Sequence, residues 1–178
     1  MNNEKIAQTL EQLADLMEFQ GANAFRLRAY RNGARNIREM TDSISQMVAD
    51  EEDLVKFEGI GKSVAAKCTE LVETGSLQQL KDLLEEVPKS VLDLLRIPKL
   101  GPKKAAVLFN ELNIATLDQL KAACEAGEVQ KLSGFAEKTE HAILAGIEIA
   151  AAANQRIKWA DADKIVAQLR KHLSLIHI

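Results

Sequence analysis

The sequence is poor in aromatic residues, proline and cysteine, and each scarcity excludes a class of structure. Aromatic residues make up 4% of the 178 residues and there are three prolines, whereas Ala, Leu, Glu, Lys and Gln are abundant, which favours helices over strands. Cys68 and Cys124 lie far apart without Cys-x-x-Cys spacing, which argues against a disulfide framework or a zinc site. No apolar run approaches the roughly 20 residues that span a bilayer. These features predict an all-α cytoplasmic protein without a membrane partner.

The chain also lacks an excess of positive charge. Its net charge is −3, so affinity for nucleic acid must come from local clusters of basic residues rather than from the average. Hydrophobic residues make up 47% of the sequence, which is enough for a buried core.

Apolar periodicity and turn residues divide the chain into helices. We predict a first helix from about Lys5 to Gly21, a second over residues 23–38, a third after Thr41 or Asp42, and a fourth from Gly61 to Gly75. Ser76 is the predicted N-cap of the next helix. Pro88, which follows the acidic pair at residues 85–86, marks the predicted boundary between residues 1–86 and residues 87–154. Residues 155–178 form a third segment.

Three segments repeat one pattern, in which an apolar residue and two or three further residues are followed by Gly, apolar, Gly and then a helix start that carries lysine. They are residues 54–65, 94–105 and 129–140. Lys99 replaces the first glycine of the second copy, and Ala136 replaces the second glycine of the third. The pattern predicts two small helical subdomains with repeated helix-hairpin-helix motifs.

The chemistry of such a hairpin suits a phosphate. Glycine allows positive φ and close approach of the backbone, and the following helix directs free N–H groups and its positive dipole end at an anion. The intervening Ile60, Leu100 or Phe135 is expected to turn inward. The motif predicts binding to the DNA backbone without base specificity. The alternative is a plain turn between two helices, in which glycine only ends the first.

A second basic cluster lies on the second predicted helix. Arg28, Arg31, Arg35 and Arg38 recur at helical spacing, Arg26 precedes them, and residues 25–38 contain no acidic residue. The neighbouring face, with Leu27, Tyr30, Ala34 and Ile37, is expected to face the core. A solvated face is the simple explanation, but such faces usually mix both signs, so we predict phosphate binding.

Several of these motifs in one order resemble the amino-terminal region of bacterial family X DNA polymerases. The resemblance covers about residues 4–170 and rests on residues 24–31, 59–62, 73–77 and 97–105. It implies a lyase-like domain that binds the 5′ phosphate of gapped DNA, followed by a duplex-binding subdomain. The DNA contacts expected from the pattern and the resemblance together are Arg26, Arg28, Tyr30, Arg31, Arg35, Gly59, Gly61, Lys62, Ser63, Gly101, Lys103, Lys104, Gly134 and Lys138.

The resemblance also implies chemistry at Lys67. The family's lyase lysine maps to this position, where it would form a Schiff base with an abasic sugar, assisted by Lys62 and the arginines of the second predicted helix. Without the resemblance, Lys67 reads as an exposed lysine on a helix. Ser63 stands where the animal members have a further phosphate-binding lysine. The hairpins of the family hold a monovalent cation, Na⁺ or K⁺, through backbone carbonyls that map to Val55, Phe57 and Ile60, and to Leu95, Ile97 and Leu100.

The polymerase site of the family is not found in this sequence. The palm motif of the family, a Gly-Ser pair together with the three aspartates that hold Mg²⁺, is not found, and Asp161 and Asp163 instead suit the N-terminus of the last helix. His141, His172 and His177 form no constellation. The tail, residues 173–178, resembles no family sequence, so we expect the physiological protein to be longer.

These features together predict a monomer that binds gapped or nicked DNA in base-excision and gap-filling repair, at the bacterial nucleoid. The resemblance adds possible 5′-deoxyribose-phosphate lyase activity through Lys67. One alternative is a non-catalytic helix-hairpin-helix module, and a protein-interaction scaffold is another. The scaffold predicts no salt-dependent affinity for DNA.

Overall fold

The computed structural model describes residues 1–149, and all regular secondary structure in this range is helical, which confirms the predicted all-α fold. The elements are α1 (Asn3–Phe19), α2 (Ala24–Glu39), α3 (Ile44–Ala49), a short 3-10 helix (Leu54–Lys56), α4 (Lys62–Thr74), α5 (Gln78–Glu86), α6 (Lys89–Leu95), α7 (Pro102–Leu112), α8 (Leu117–Glu125), a second 3-10 helix (Val129–Lys131) and α9 (residues 137–149). The end of α9 near Asn154, the segment 155–178, and Asp161, Asp163, His172 and His177 lie outside the described residues.

Asparagine side chains cap the N-termini of the two longest helices, α1 and α2, among the described residues. Asn2 accepts from Lys5 N–H at the start of α1, and Asn23 accepts from Phe25 N–H at the start of α2. The prediction that Ser76 caps α5 is wrong, because the N-cap position is Leu77. The carboxylate of Glu70 on α4 replaces the serine cap, since it accepts from Gln78 N–H at 2.6 Å.

The buried apolar side chains form two cores. The first extends from Ile6 to Val91 and the second from Leu94 to Ile147. Their division falls within α6, a few residues beyond the predicted boundary at residues 86–87.

Helix α1 joins the two parts of the molecule. It packs against α2 and α5 in the first part and against α7 in the second. Within the first part, Gln20 donates to Glu86 of α5 at 2.6 Å. Between the parts, the rings of Phe19 on α1 and Phe109 on α7 have centroids 5.6 Å apart at an angle of 57°. The two hairpin-bearing parts are therefore in direct contact. Within residues 1–149, no helix has the length and apolar character to cross a membrane.

Candidate DNA interface

The three predicted hairpins share one backbone geometry. Ile60, Leu100 and Phe135 each donate their N–H to the carbonyl three residues earlier at 3.1 Å, and the next helix opens with a bond from Ala65, Ala105 or Glu140 back to the residue four earlier. The residue at the tip of each turn has positive φ, 76° at Gly59, 68° at Lys99 and 86° at Gly134. The internal repeat read from the sequence is thus a structural repeat.

The apolar residue of each hairpin turns inward as predicted. Ile60, Leu100 and Phe135 are 2%, 1% and 3% exposed, and they anchor their turns in the two cores. Outside them, Gly61, Gly101 and Gly134 are exposed, and so are the lysines Lys62, Lys103 and Lys138 at the following helix starts. The backbone N–H groups of the first two helix starts therefore face solvent beside a basic side chain, which is the arrangement that binds phosphate.

The first hairpin is braced by α2, a contact that the sequence did not predict. Asn36 donates through Nδ2 to the carbonyl of Glu58 at 2.8 Å, and its side chain lies directly against Gly59. Gly33 contacts Val64 closely enough that a Cβ would lie 2.7 Å from Cγ1 of the valine. Both glycines are required by the close approach of α2 to the hairpin. An asparagine within a helix gives no signal in the sequence for such a contact.

A strip of polar side chains runs across the junction of α2 and α4. The hydroxyl of Tyr30 hydrogen-bonds the hydroxyl of Ser63 at 2.9 Å, and Tyr30 as a whole is only 1% exposed. Arg26 lies one helical turn before Tyr30 and Lys67 one turn after Ser63, on the same helix faces. Arg26 and Lys67 therefore flank the Tyr30–Ser63 pair, in which Ser63 carries the exposed hydroxyl.

The arginines of α2 divide into two groups. Arg31 contacts Asp15 at 2.8 Å and Glu18 at 2.6 Å, and Arg38 binds Glu11 through two nitrogens and Glu4 through its Nε. At Arg31, desolvation by burial is the largest single influence and lowers the pKa, but the contacts with Glu18 and Asp15 together outweigh it, so the pKa is raised. At Arg38, hydrogen bonds from the guanidinium to Glu11 and Glu4 raise the pKa.

The other three arginines, Arg26, Arg28 and Arg35, are exposed. Arg35 lines a surface groove with Asn36 and Phe57 beside the first hairpin. The core face predicted for α2 is confirmed, since Leu27, Tyr30, Ala34 and Ile37 are all buried. Two of the five arginines of α2, Arg31 and Arg38, are thus paired with acids of α1. The role of Arg31 in DNA binding stays a prediction.

An exposed aromatic ring stands next to these arginines. Phe25 is 76% exposed in the first turn of α2, and the guanidinium of Arg28 lies 4.8 Å from its ring centroid. The sequence reasoning missed it as a functional residue, because a phenylalanine at a helix start reads as core. A ring exposed beside cations can stack on an unpaired base, as in single-strand binding proteins. Its only signal in the sequence is its position between Asn23 and two arginines.

Lys67 lies in a different environment from the one expected. Its side chain is 19% exposed, so the prediction of an exposed lysine is wrong, and its amine donates to Glu70 at 2.8 Å. The reason is that the N-terminus of α5 lies against α4, where Gln78 N–H donates to Glu70. The pKa of Glu70 is lowered, first by the hydrogen bond from Lys67 and then by the N–H of Gln78. The charge nearest to Lys67 is therefore an anion and not the cations that the sequence suggested.

The third hairpin differs chemically from the other two. Glu137 and Glu140 occupy the first turn of α9, and Glu140 is 8% exposed and accepts from Gln130 N–H at 3.0 Å. Lys104, from the second hairpin, lies over the ring of Phe135 at 5.5 Å. Acidic residues at this helix start compete with a phosphate. The contacts assigned to Gly134 and Lys138 therefore stay predictions with weaker support than those of the first two hairpins.

The carbonyls mapped to a monovalent cation are compatible with that role. Phe57 and Ile97 each accept one backbone hydrogen bond within their hairpin. In the described part of the chain, no backbone N–H outside a helix donates to the carbonyls of Val55, Ile60, Leu95 or Leu100. Carbonyl oxygens with open lone pairs suit a hard cation. Among residues 1–149, no cluster of three His, Cys, Asp or Glu side chains could hold a metal ion.

The geometry of the hairpins agrees with two family comparisons. Residues 1–77 match the helix-hairpin-helix domain, and residues 91–148 match the SAM-like helix-hairpin-helix tandem. The chain therefore consists largely of helix-hairpin-helix domains.

A curated relative matches almost the whole chain. The chain is 34% identical over 174 residues to the DNA polymerase/3′-5′ exonuclease PolX of Bacillus subtilis (strain 168), which covers 98% of this chain and 30% of that protein. The resemblance to the amino-terminal region of bacterial family X DNA polymerases is thereby confirmed. The chain spans less than a third of the length of this relative.

Proposed function

We propose that this chain is the DNA-binding region of a family X DNA polymerase and holds gapped or nicked duplex DNA by its phosphate backbone. The observation that carries the proposal is the shared geometry of the first two hairpins. Each places the open N–H groups of a helix start beside exposed lysines, Lys62 in the first hairpin and Lys103 in the second. Two such sites on one molecule suit the two duplex segments that flank a gap.

The 5′ phosphate at the gap is assigned to the strip between α2 and α4. Arg26 and Lys62 supply positive charge, and the paired hydroxyls of Tyr30 and Ser63 supply a neutral donor. Phe25, exposed beside Arg26, suits the unpaired base opposite the gap.

Lyase chemistry at Lys67 is the further part of the proposal. The amine attacks C1′ of the ring-opened abasic sugar, and loss of water gives an imine. Removal of a C2′ proton then breaks the C3′–O bond, which releases the DNA with its 5′ phosphate, and water hydrolyses the imine to restore the lysine. The position of Lys67 one turn from Ser63 supports this step, because it lies beside the site proposed for the phosphate.

A non-catalytic binding module is the second candidate, and the ion pair between Lys67 and Glu70 favours it. A carboxylate 2.8 Å from the amine holds it in a salt bridge, which must break before the amine can attack a sugar. In this case the same surface binds DNA, and Lys67 contributes only to the packing of α4 against α5.

Further parts of the proposal concern ions, setting and assembly. Na⁺ or K⁺ would bind the hairpin carbonyls, whereas Mg²⁺ belongs to the palm of the family, outside the region that this chain resembles. We place the protein in gap filling during base-excision repair, in the bacterial cytoplasm at the nucleoid, as a monomer. Light scattering of the purified chain, with and without DNA, tests the last point.

Binding to a duplex with a one-nucleotide gap tests the main proposal. The dissociation constant is measured with and without the 5′ phosphate across a salt titration. We expect tighter binding of the phosphorylated gap and a linear fall of log affinity with log salt. Equal affinity for both duplexes would refute the 5′-phosphate site, and binding to neither, or binding insensitive to salt, would refute the DNA-binding proposal.

Borohydride trapping on abasic DNA separates the two candidates. The chain should form a covalent adduct, and Lys67→Ala should abolish it while DNA binding remains. Lys62→Ala is the matched control, because it removes a nearby amine that is not assigned as the nucleophile. No adduct in the unaltered chain would leave the non-catalytic module as the function, whereas an adduct that survives Lys67→Ala would show that another amine is the nucleophile.

A further inference from the structure

The tip of the second hairpin carries a lysine where the other two tips carry glycine. Lys99 has φ of 68°, next to 76° at Gly59 and 86° at Gly134. This left-handed conformation is unfavourable for an ordinary L-residue relative to glycine. Glycine is the residue that the turn itself favours, so a lysine at this position lowers local stability.

Space around each tip shows where a side chain is tolerated. At Gly59 a Cβ would collide with Asn36, so the first hairpin cannot carry one. At Gly134 nothing lies within 4 Å of an added Cβ, yet glycine is present. Free space for a side chain at the tip therefore does not by itself explain why the second hairpin carries a lysine. Strained residues of this kind are concentrated where function compensates for the cost.

The charge of Lys99 is available to a ligand, whereas neighbouring cations are partly engaged. Lys104 lies over the Phe135 ring, and Arg96 contacts Asp93 at 3.4 Å. Lys99 is exposed, and within residues 1–149 no carboxylate oxygen lies within 4.0 Å of its amine. It lies two residues before Gly101, the N-cap of α7, so it extends from the same turn as the N–H groups of that helix.

We propose that Lys99 is a further phosphate-binding residue, which contacts the DNA strand held by the second hairpin at a phosphate beside the one bound by the N–H groups of α7. This assignment rests on the proposed DNA binding. It makes the two hairpins unequal, because the first presents a bare glycine turn braced by α2 and the second adds an ionic contact at its tip. The contact is to phosphate and carries no base specificity.

The test uses the full chain and three variants at two positions. Lys99→Gly removes both the charge and the strain, and Lys99→Asn removes the charge but keeps a residue that tolerates positive φ. Asn113→Gly is the matched control, because Asn113 also has positive φ, 52°, but lies at the opposite end of α7 from the hairpin. Each is measured for thermal stability and for salt-dependent binding to gapped duplex.

We expect Lys99→Gly to raise Tm yet to weaken DNA binding several-fold at low salt. The slope of log affinity against log salt should fall by about 0.9, as for one lost phosphate contact. Lys99→Asn should show the same loss of slope, and Asn113→Gly should leave both affinity and slope unchanged. Unchanged affinity and slope in both Lys99 variants would overturn the inference while DNA binding stands. Failure of the unaltered chain to bind would instead overturn the proposed function on which the inference depends.

Discussion

At the scale of single residues, the thiol of Cys68 links stability to alkaline pH. Cys68 is fully buried, and burial raises its pKa from 9.0 to about 12. Above pH 9 the unfolded chain releases this proton and the folded chain keeps it. The free energy of unfolding therefore falls, by about 1.4 kcal/mol per pH unit for this group, until the folded pKa is reached.

Urea unfolding on either side of pH 9 measures this effect. Cys68→Ala should lower stability at neutral pH, because it leaves a small cavity, and should flatten the decline above pH 9. Burial also raises the pKa of Cys124 in the second core, to about 11, so Cys124→Ala should flatten the decline only between pH 9 and about 11. The same alkaline decline in Cys68→Ala as in the unaltered chain would show that another group causes it.

Glu70 is the second residue whose environment leads to a prediction. One carboxylate oxygen holds the amine of Lys67 and the other holds the N–H of Gln78. Glu70→Gln keeps an acceptor for the N–H but removes the charge of the salt bridge that holds the amine of Lys67. If Lys67 is the nucleophile, the rate of borohydride trapping at neutral pH should rise several-fold. An unchanged or slower rate would contradict the view that this carboxylate restrains the amine.

At the scale of elements, the arginines of α2 differ in their contact partners. Arg28 is exposed beside Phe25, whereas Arg31 is held by two acids of α1. Arg28→Ala should weaken binding to gapped DNA and reduce the salt slope by about 0.9 with little change in stability. Arg31→Ala should instead lower the free energy of unfolding by roughly 0.5 kcal/mol, a value discounted for its solvent exposure.

Urea titration and salt-dependent DNA binding of this matched pair give both quantities for each variant. The two arginines lie one turn apart on the same helix, so differences in helix propensity cancel. A larger loss of DNA affinity in Arg31→Ala than in Arg28→Ala would show that the acids of α1 release Arg31 when DNA binds.

The hairpins could be predicted from the sequence, whereas the contacts between helices could not. Glycine, an inward apolar residue and a following lysine specify a turn through local sterics, and the burial of Ile60 and Leu100 follows from the same pattern. The pairing of Arg38 with Glu11 depends on how α1 packs on α2, which periodicity does not encode. The capping of α5 by Glu70 is likewise a contact from another helix, so the local rule that favoured Ser76 failed.

At the scale of the whole molecule, the packing of α1 on α7 sets the distance between the first two hairpins. Phe19 and Phe109 form the aromatic contact of this junction, and both are partly buried. Phe109→Ala removes that contact and should lower the free energy of unfolding by about 1–3 kcal/mol, less than for a fully buried ring. It should also loosen one hairpin relative to the other.

Looser coupling has a specific consequence for DNA binding. A duplex that engages both hairpins gains affinity because the second contact is intramolecular, and that gain depends on a fixed spacing. Phe109→Ala should therefore weaken binding to a long gapped duplex several-fold but leave binding to a duplex short enough for one hairpin unchanged. Val107→Ala, on the same helix but packed in the second core, should lower stability without this difference. Equal weakening on both duplexes in Phe109→Ala would mean that the hairpins act independently and that α1 contributes to stability alone.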